Sequence, residues 1–205
     1  MTPQEKESFC RLMACLLCPP DQEIADLLHH GTLHSAFEKL VRSWREGENF
    51  LDGFILDGPP ETLLYHLIEA YRRLFSDATG ERISLVESFY KPWTVDITCS
   101  LPFAHEKGLL MGDSAIHLST LFQEAGLEVA EEFRGCPDHL VIELEFLAAL
   151  YRNAASVETL KFIEDHLDWI PLLKEEVKRA QAHPFYVSVL EVLDCFLKEE
   201  KKRRE

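Results

Sequence analysis

The sequence predicts an all-α fold, and three observations carry that prediction. Apolar residues recur at spacings of three and four along most of the chain, and no stretch alternates convincingly with period two. Prolines and glycines cut the chain into pieces of helical length. About eight to ten helices fit into residues 1–205, read as one single-domain helical bundle without internal repeats.

In order, "QEKESFCRLMACLLC" places Phe9, Met13, Leu16 and Leu17 on one helical face, and Pro19-Pro20 stops it. "DQEIADLLHHG" follows, with Asp21 as N-cap and Gly31 as stop. "TLHSAFEKLVRSW" aligns Leu33, Phe37, Leu40, Val41 and Trp44. "REGENFLDGFILDGPP" reads as a loop holding a short turn. "PETLLYHLIEAYRRLFSD" is a strong amphipathic helix with Leu64, Leu67, Ile68, Tyr71 and Leu74-Phe75 on one side.

Residues 78–104 break the rhythm by mixing aromatics and prolines with polar residues, and form the irregular region of the domain. So long a structureless segment in a compact domain is often functional. "GDSAIHLSTLFQEAG" resumes the helical pattern, capped by Asp113 or Ser114 and ended by Gly126. "CPDHLVIELEFLAAL" makes the next helix, with Asp138 as its cap. Ser156 caps "SVETLKFIEDHLDW", Pro171 separates it from "LLKEEVKRAQ", and Pro184 opens the last helix. Residues 199–205 are a charged, solvated tail.

Thirty-six acidic against 21 basic residues give a net charge of −15. Nucleic acid is excluded as a partner, because phosphate contacts require surplus Lys and Arg. An acidic surface keeps a protein soluble and speeds encounter with basic ligands. Neither a basic n-region followed by an apolar run nor a membrane-length apolar stretch is present. The expectation is a cytoplasmic protein whose six cysteines are thiols.

Several constellations bear on chemistry. Cys10, Cys15 and Cys18 have the C-x4-C-x2-C spacing of an iron–sulfur site, but they lie among helical Leu, Met and Phe, where small buried thiols are the ordinary outcome. No histidine has Glu three positions before it, and Asp26/His29 is a lone half-motif. Asp26/His30, His34/Glu38, Asp113/His117 and His139/Glu143 stand four apart, about as often as an acidic chain gives by chance. There is no Gly-x-Ser-x-Gly, no phosphate-cradling loop and no nucleophile–base pair. No catalytic residue, metal site or cofactor is therefore expected. What remains is an aromatic loop (Glu87, Phe89, Tyr90, Trp93) with Asp113, Asp138 and Glu143 on neighbouring segments, ingredients that suit a peptide carrying arginine next to apolar residues. A plain core role for the rings, and a partly exposed helix face for Glu143 and Glu145, are the competing readings.

Four segments in one order carry a resemblance: "ESFYKPWT" (87–94), "KGLLMGDSAIHLSTLF" (107–122), "CPDHLVIELEFLAAL" (136–150), and "FIEDHLDWIPLL" with "HPFY" (162–173, 183–186). Together they resemble the TorD/DmsD/NarJ family of redox-enzyme maturation chaperones over roughly residues 60–200, with Pro-Asp-His-Leu and Glu-x-Glu-Phe-Leu-Ala nearest the TorD branch. The DmsD branch lacks that Glu-x-Glu pair. The resemblance implies a non-enzymatic, all-helical cytoplasmic chaperone. Such a protein binds the twin-arginine signal peptide and apo form of a molybdopterin oxidoreductase, aiding cofactor insertion and delaying export. It places the family's Asp-His pair on Asp138 and His139, its Gly-Asp on Gly112 and Asp113, and its aromatic loop on Tyr90 and Trp93. Glu87, Glu143 and Glu145 fall inside matching segments. The expected peptide-binding set is thus Glu87, Tyr90, Trp93, Gly112, Asp113, Asp138, His139 and Glu143, forming one negative, ring-lined groove in which His139 is neutral. The chaperone is expected as a monomer or a domain-swapped dimer. A helical metal-binding protein and a general interaction scaffold are the alternatives.

Overall fold

The computed structural model describes residues 1–44, 50–76 and 82–202. Among them are nine α-helices and no strand: α1 Pro3–Leu16, α2 Gln22–His29, α3 Thr32–Ser43, α4 Pro60–Tyr71, α5 Asp113–Glu124, α6 Leu140–Asn153, α7 Ser156–His166, α8 Ile170–Arg179 and α9 Pro184–Lys202. The all-α expectation holds. No helix among the described residues is long and apolar enough to cross a membrane. The turn in the second loop is the 3-10 segment Asp52–Phe54; residues 45–49 of that loop, 78–81 of the irregular region and 203–205 of the tail lie outside the described residues.

Contacts divide the chain into two compact units, Met1–Ala14 with Ser84–Trp169, and Cys15–Ile83 with Ile170–Glu205. In the second, α9 supplies the largest share of buried side chains, from Phe185 to Leu197. Phe54 lies between Phe37 and Phe185, tilted against the first and edge-on to the second, at ring-centroid distances of 4.8 and 5.9 Å. Gly53 donates its backbone N–H to Ser188 Oγ, and a Cβ at position 53 would stand 2.2 Å from the Pro184 carbonyl oxygen. Only glycine fits there. The buried line of α4 is Leu63, Leu67 and, beyond it, Leu74, with Leu64 and Ile68 half-buried, a rotation of the face read from the sequence. The helix does not run on unchanged: Arg72–Ser76 widens into a π-turn, which brings both Tyr71 and Phe75 against Tyr186.

In the first unit, α5, α6 and α7 share an aromatic row. Phe146 contacts Phe122 and Phe162 edge-on at 4.9 and 5.1 Å. Helix α1 joins them through Glu7–Arg152 and Arg11–Glu145 ion pairs, so Glu145 is half-exposed and paired at the surface. Cys10 is buried in α1 and Cys15 exposed, and none of the six cysteines is in a disulfide.

Three expected caps are replaced. Helix α6 starts at Leu140, and its N-cap is His139, whose Nδ1 accepts from the Val141 N–H; the Asp138 carboxylate is engaged elsewhere. Asp113 is the first residue of α5, after Gly112, and its carboxylate turns back to the preceding loop. Before α7, Glu158 accepts the Ala155 N–H, and Ser156 is already helical. Asp21 caps α2 as expected, through the Ile24 N–H.

Gly53→Ala is expected to destabilise the protein by about 2 kcal/mol or more, because the backbone of α9 must move to admit one methyl group. Thermal unfolding checks this, and an unchanged midpoint would contradict the packing.

Candidate functional site

Segment 84–112 is irregular but firmly tied. Antiparallel pairing at Val86 and His139 brings it to the start of α6, with the Glu87 N–H donating to the Asp138 carbonyl and the Leu140 N–H to the Leu85 carbonyl. Asp138, wholly buried, accepts from the Ser88 N–H (2.9 Å) and the Ser88 hydroxyl. Burial raises its carboxyl above the usual range despite those bonds. Further along, the Trp93 N–H donates to the Glu106 carbonyl, Thr94 N–H to Ala104, and Asp113 N–H to Trp93. Asp113 Oδ2 accepts from Thr94 Oγ1 and the Val95 N–H, at 2.8 and 3.0 Å.

Gly112 explains the tightness of this junction. A Cβ there would lie 2.5 Å from the Trp93 carbonyl oxygen, so only glycine lets the start of α5 press on the loop backbone. Met111 beside it holds a left-handed conformation (φ 59°), which costs a non-glycine residue about 1 kcal/mol.

The inner side of the loop is charged and buried. Glu87, on the 3-10 turn Glu87–Phe89, is fully buried between α6 and α7. His166 Nδ1 lies 3.0 Å from Glu87 Oε2, and His166 Nε2 is 2.8 Å from His117 Nδ1. Lys91 Nζ lies 2.6 Å from Glu87 Oε1 and 2.6 Å from Asp168 Oδ1. Burial opposes ionisation of Glu87, but the His166 hydrogen bond and the charges of His166 and Lys91 outweigh it and hold its carboxyl low. Glu143 is the opposite case. Burial, then the adjacent Glu87 carboxylate, hold its carboxyl well above the usual range, which favours its protonated form. The Lys91 ammonium thus faces the Glu87 carboxylate rather than Glu143.

The outer side is apolar. Ile97 is 90% exposed and Val95 73%, and Leu101, Phe103, Leu110 and Met111 are also open to solvent. Trp93 is half-buried, edge-on to Phe103 at 5.2 Å.

The expected residues are therefore brought to one segment and the helix starts it touches, but they divide by depth. Glu87, Asp138, Glu143 and Gly112 are buried, and Tyr90 is buried in a stack on Trp169 at 4.9 Å. Asp113 is exposed, and Trp93 and His139 are half-buried. Burial pushes the His139 imidazole down to about 4, so it is neutral at physiological pH, and its ring packs on Phe133. The partly exposed helix face considered for Glu143 is not what forms. Lys91, His166 and Asp168 escaped the sequence reading, although Glu87 and Lys91 stand at i,i+4 within the quoted "ESFYKPWT". Glu87, Glu143 and His166 also place one potential ligand atom each within 4.8 Å of one another, a grouping that no sequence spacing announces.

The sequence of this helical chain matches a known family. A model of the family described as nitrate reductase delta subunit covers residues 33–178, and the chain belongs to that family, the NarJ/TorD family. Among curated proteins it is similar to "Chaperone protein TorD" of Vibrio parahaemolyticus, 28% identical over 64% of this chain and 69% of the relative. It is likewise 27% identical to "Chaperone protein TorD" of Vibrio cholerae, over 76% of this chain and 78% of that protein.

A raised carboxyl stabilises the fold below its unfolded-state value and loses that contribution as pH rises through its folded value. Glu143→Gln is therefore expected to match the wild type near pH 4 and exceed it by about 1–3 kcal/mol at pH 8. Denaturant unfolding at several pH values reads this; a pH-independent difference would contradict the raised Glu143 carboxyl.

Proposed function

We propose that this protein is a non-enzymatic redox-enzyme maturation chaperone. It binds the twin-arginine signal peptide and apo form of a molybdopterin oxidoreductase in the cytoplasm, and holds back export until the cofactor is in place. Family membership and relatives named as TorD chaperones support the class. The observation that carries peptide binding is the solvent-facing apolar surface at residues 95–111, adjoining an acid-rich junction.

In this reading the signal's apolar segment lies on Val95, Ile97, Leu101, Phe103 and Met111 with Trp93, while its arginines meet carboxylates. Asp113 keeps acceptor capacity beyond its two hydrogen bonds, since a carboxylate has about four lone-pair positions. Asp138 and His139 act by fixing the loop to α6, and Gly112 by fixing it to α5. One charge-assisted hydrogen bond contributes on the order of 1.5–3 kcal/mol. Two or three, with apolar burial and after association entropy, give micromolar or tighter affinity.

The test is calorimetric titration of a synthetic leader with Arg-Arg followed by about ten apolar residues. Binding is expected at low salt, weakening with added salt and on replacing Arg-Arg by Gln-Gln. Equal affinity for the Gln-Gln leader would favour a general interaction scaffold, and absence of heat from arginine leaders would overturn the reading. The double substitution Val95→Ser, Ile97→Ser should leave stability within about 0.5 kcal/mol and weaken leader binding by about fivefold or more.

A further inference from the structure

The buried carboxyl pair is matched to a cation that the chain itself supplies. The Lys91 ammonium sits among three oxygens, Glu87 Oε1, Asp168 Oδ1 and the Asp165 carbonyl, each at 2.6 Å. Glu143, 0% exposed, has no hydrogen-bond donor to either oxygen. An ammonium is a compact point charge and serves Glu87 and Asp168 while leaving Glu143 unserved. A guanidinium is a planar fork with five donors and can bridge two carboxyl groups at once. Lys91 and Asp168 are the members of the cluster nearest solvent, their side chains 21% and 50% exposed, whereas Glu87 and Glu143 lie beneath them.

We infer that Lys91 is a placeholder cation, occupying the subsite that an arginine of a bound peptide takes between Glu87 and Glu143. Resting on the peptide-binding reading above, this names where one guanidinium goes. On binding, Lys91 withdraws along its flexible stem toward Asp168, and the incoming positive charge replaces the one that leaves. Glu143 then accepts hydrogen bonds that the free protein does not give it. His166, tied to both Glu87 and His117, keeps the Glu87 carboxylate in place during the exchange. Glu87, Glu143 and His166 are also a conceivable divalent-metal set, but an ammonium already stands at the Glu87 oxygen, which favours the organic cation.

Two substitutions at Lys91 have opposite expected signs. Lys91→Gln removes the competitor and should tighten binding of the Arg-Arg leader by about tenfold. Lys91→Arg keeps the charge, supplies a guanidinium in cis, and should weaken it. A purely structural role for Lys91 would lower affinity in both variants, and that result, or no change in either, would overturn the proposal. Acetyl-Arg-Arg-amide and acetyl-Lys-Lys-amide, followed by NMR, serve as probes independent of the leader. A response to the arginine probe that strengthens in Lys91→Gln, without leader binding, would support the subsite while removing the signal-peptide reading. Leader binding indifferent to Lys91 would do the reverse. Stoichiometric zinc in the Lys91→Gln protein, with no response to either arginine ligand, would also overturn it.

Discussion

Two carboxyl groups, Glu87 and Glu143, are buried against each other, and the rest of the functional region is built around making that tolerable. Burying one unpaired carboxylate costs several kcal/mol, and two adjacent ones far more. The chain answers with surroundings that raise the Glu143 carboxyl toward its neutral form, an ammonium from Lys91 and an imidazole from His166. Those partners come from the loop and from α7, while Glu143 comes from α6. Satisfying one helix position therefore fixes the relative placement of three segments.

That arrangement accounts for how an irregular segment can display apolar side chains without collapsing onto the core. Its inner half is anchored by Asp138 on Ser88, by the single pairing at Val86 and His139, and by Gly112 against Trp93. Val95 and Ile97 then have no buried place left for them and face water. A loop held in this way is preorganised, so less ordering entropy opposes the binding of an extended peptide. The strained Met111 fits the same description, a residue held in a costly conformation where the neighbouring backbone determines it.

The helical architecture was legible in the sequence because it depends on periodicity. Phe9, Met13, Leu16 and Leu17, and likewise Leu33, Phe37, Val41 and Trp44, are buried as their spacing requires. Proline signals at 171 and 184 marked real boundaries. Caps were less legible, since a side chain such as Asp138 or Asp113 can serve a helix end or a tertiary partner, and only the folded chain decides between them. The ordered motifs contain residues that the fold brings to one loop and the helix starts it meets, yet their depth was not readable. Acidic residues in an apolar helix look alike whether they reach water or a buried carboxylate, and Lys91 and His166 meet Glu87 from separations of four and 79 residues. The first is a local spacing that can be seen in advance; the second is set by packing alone.

The most direct test is a carbon-13 NMR titration of the glutamate carboxyl signals between pH 3 and 9, assigned with the Glu87→Gln and Glu143→Gln variants. On this account the Glu143 signal still reports a protonated acid well above the pH at which ordinary glutamates have ionised, while Glu87 ionises below them. If both titrate with the surface glutamates, the two carboxyls are not driven apart and the organisation of the loop must have another cause.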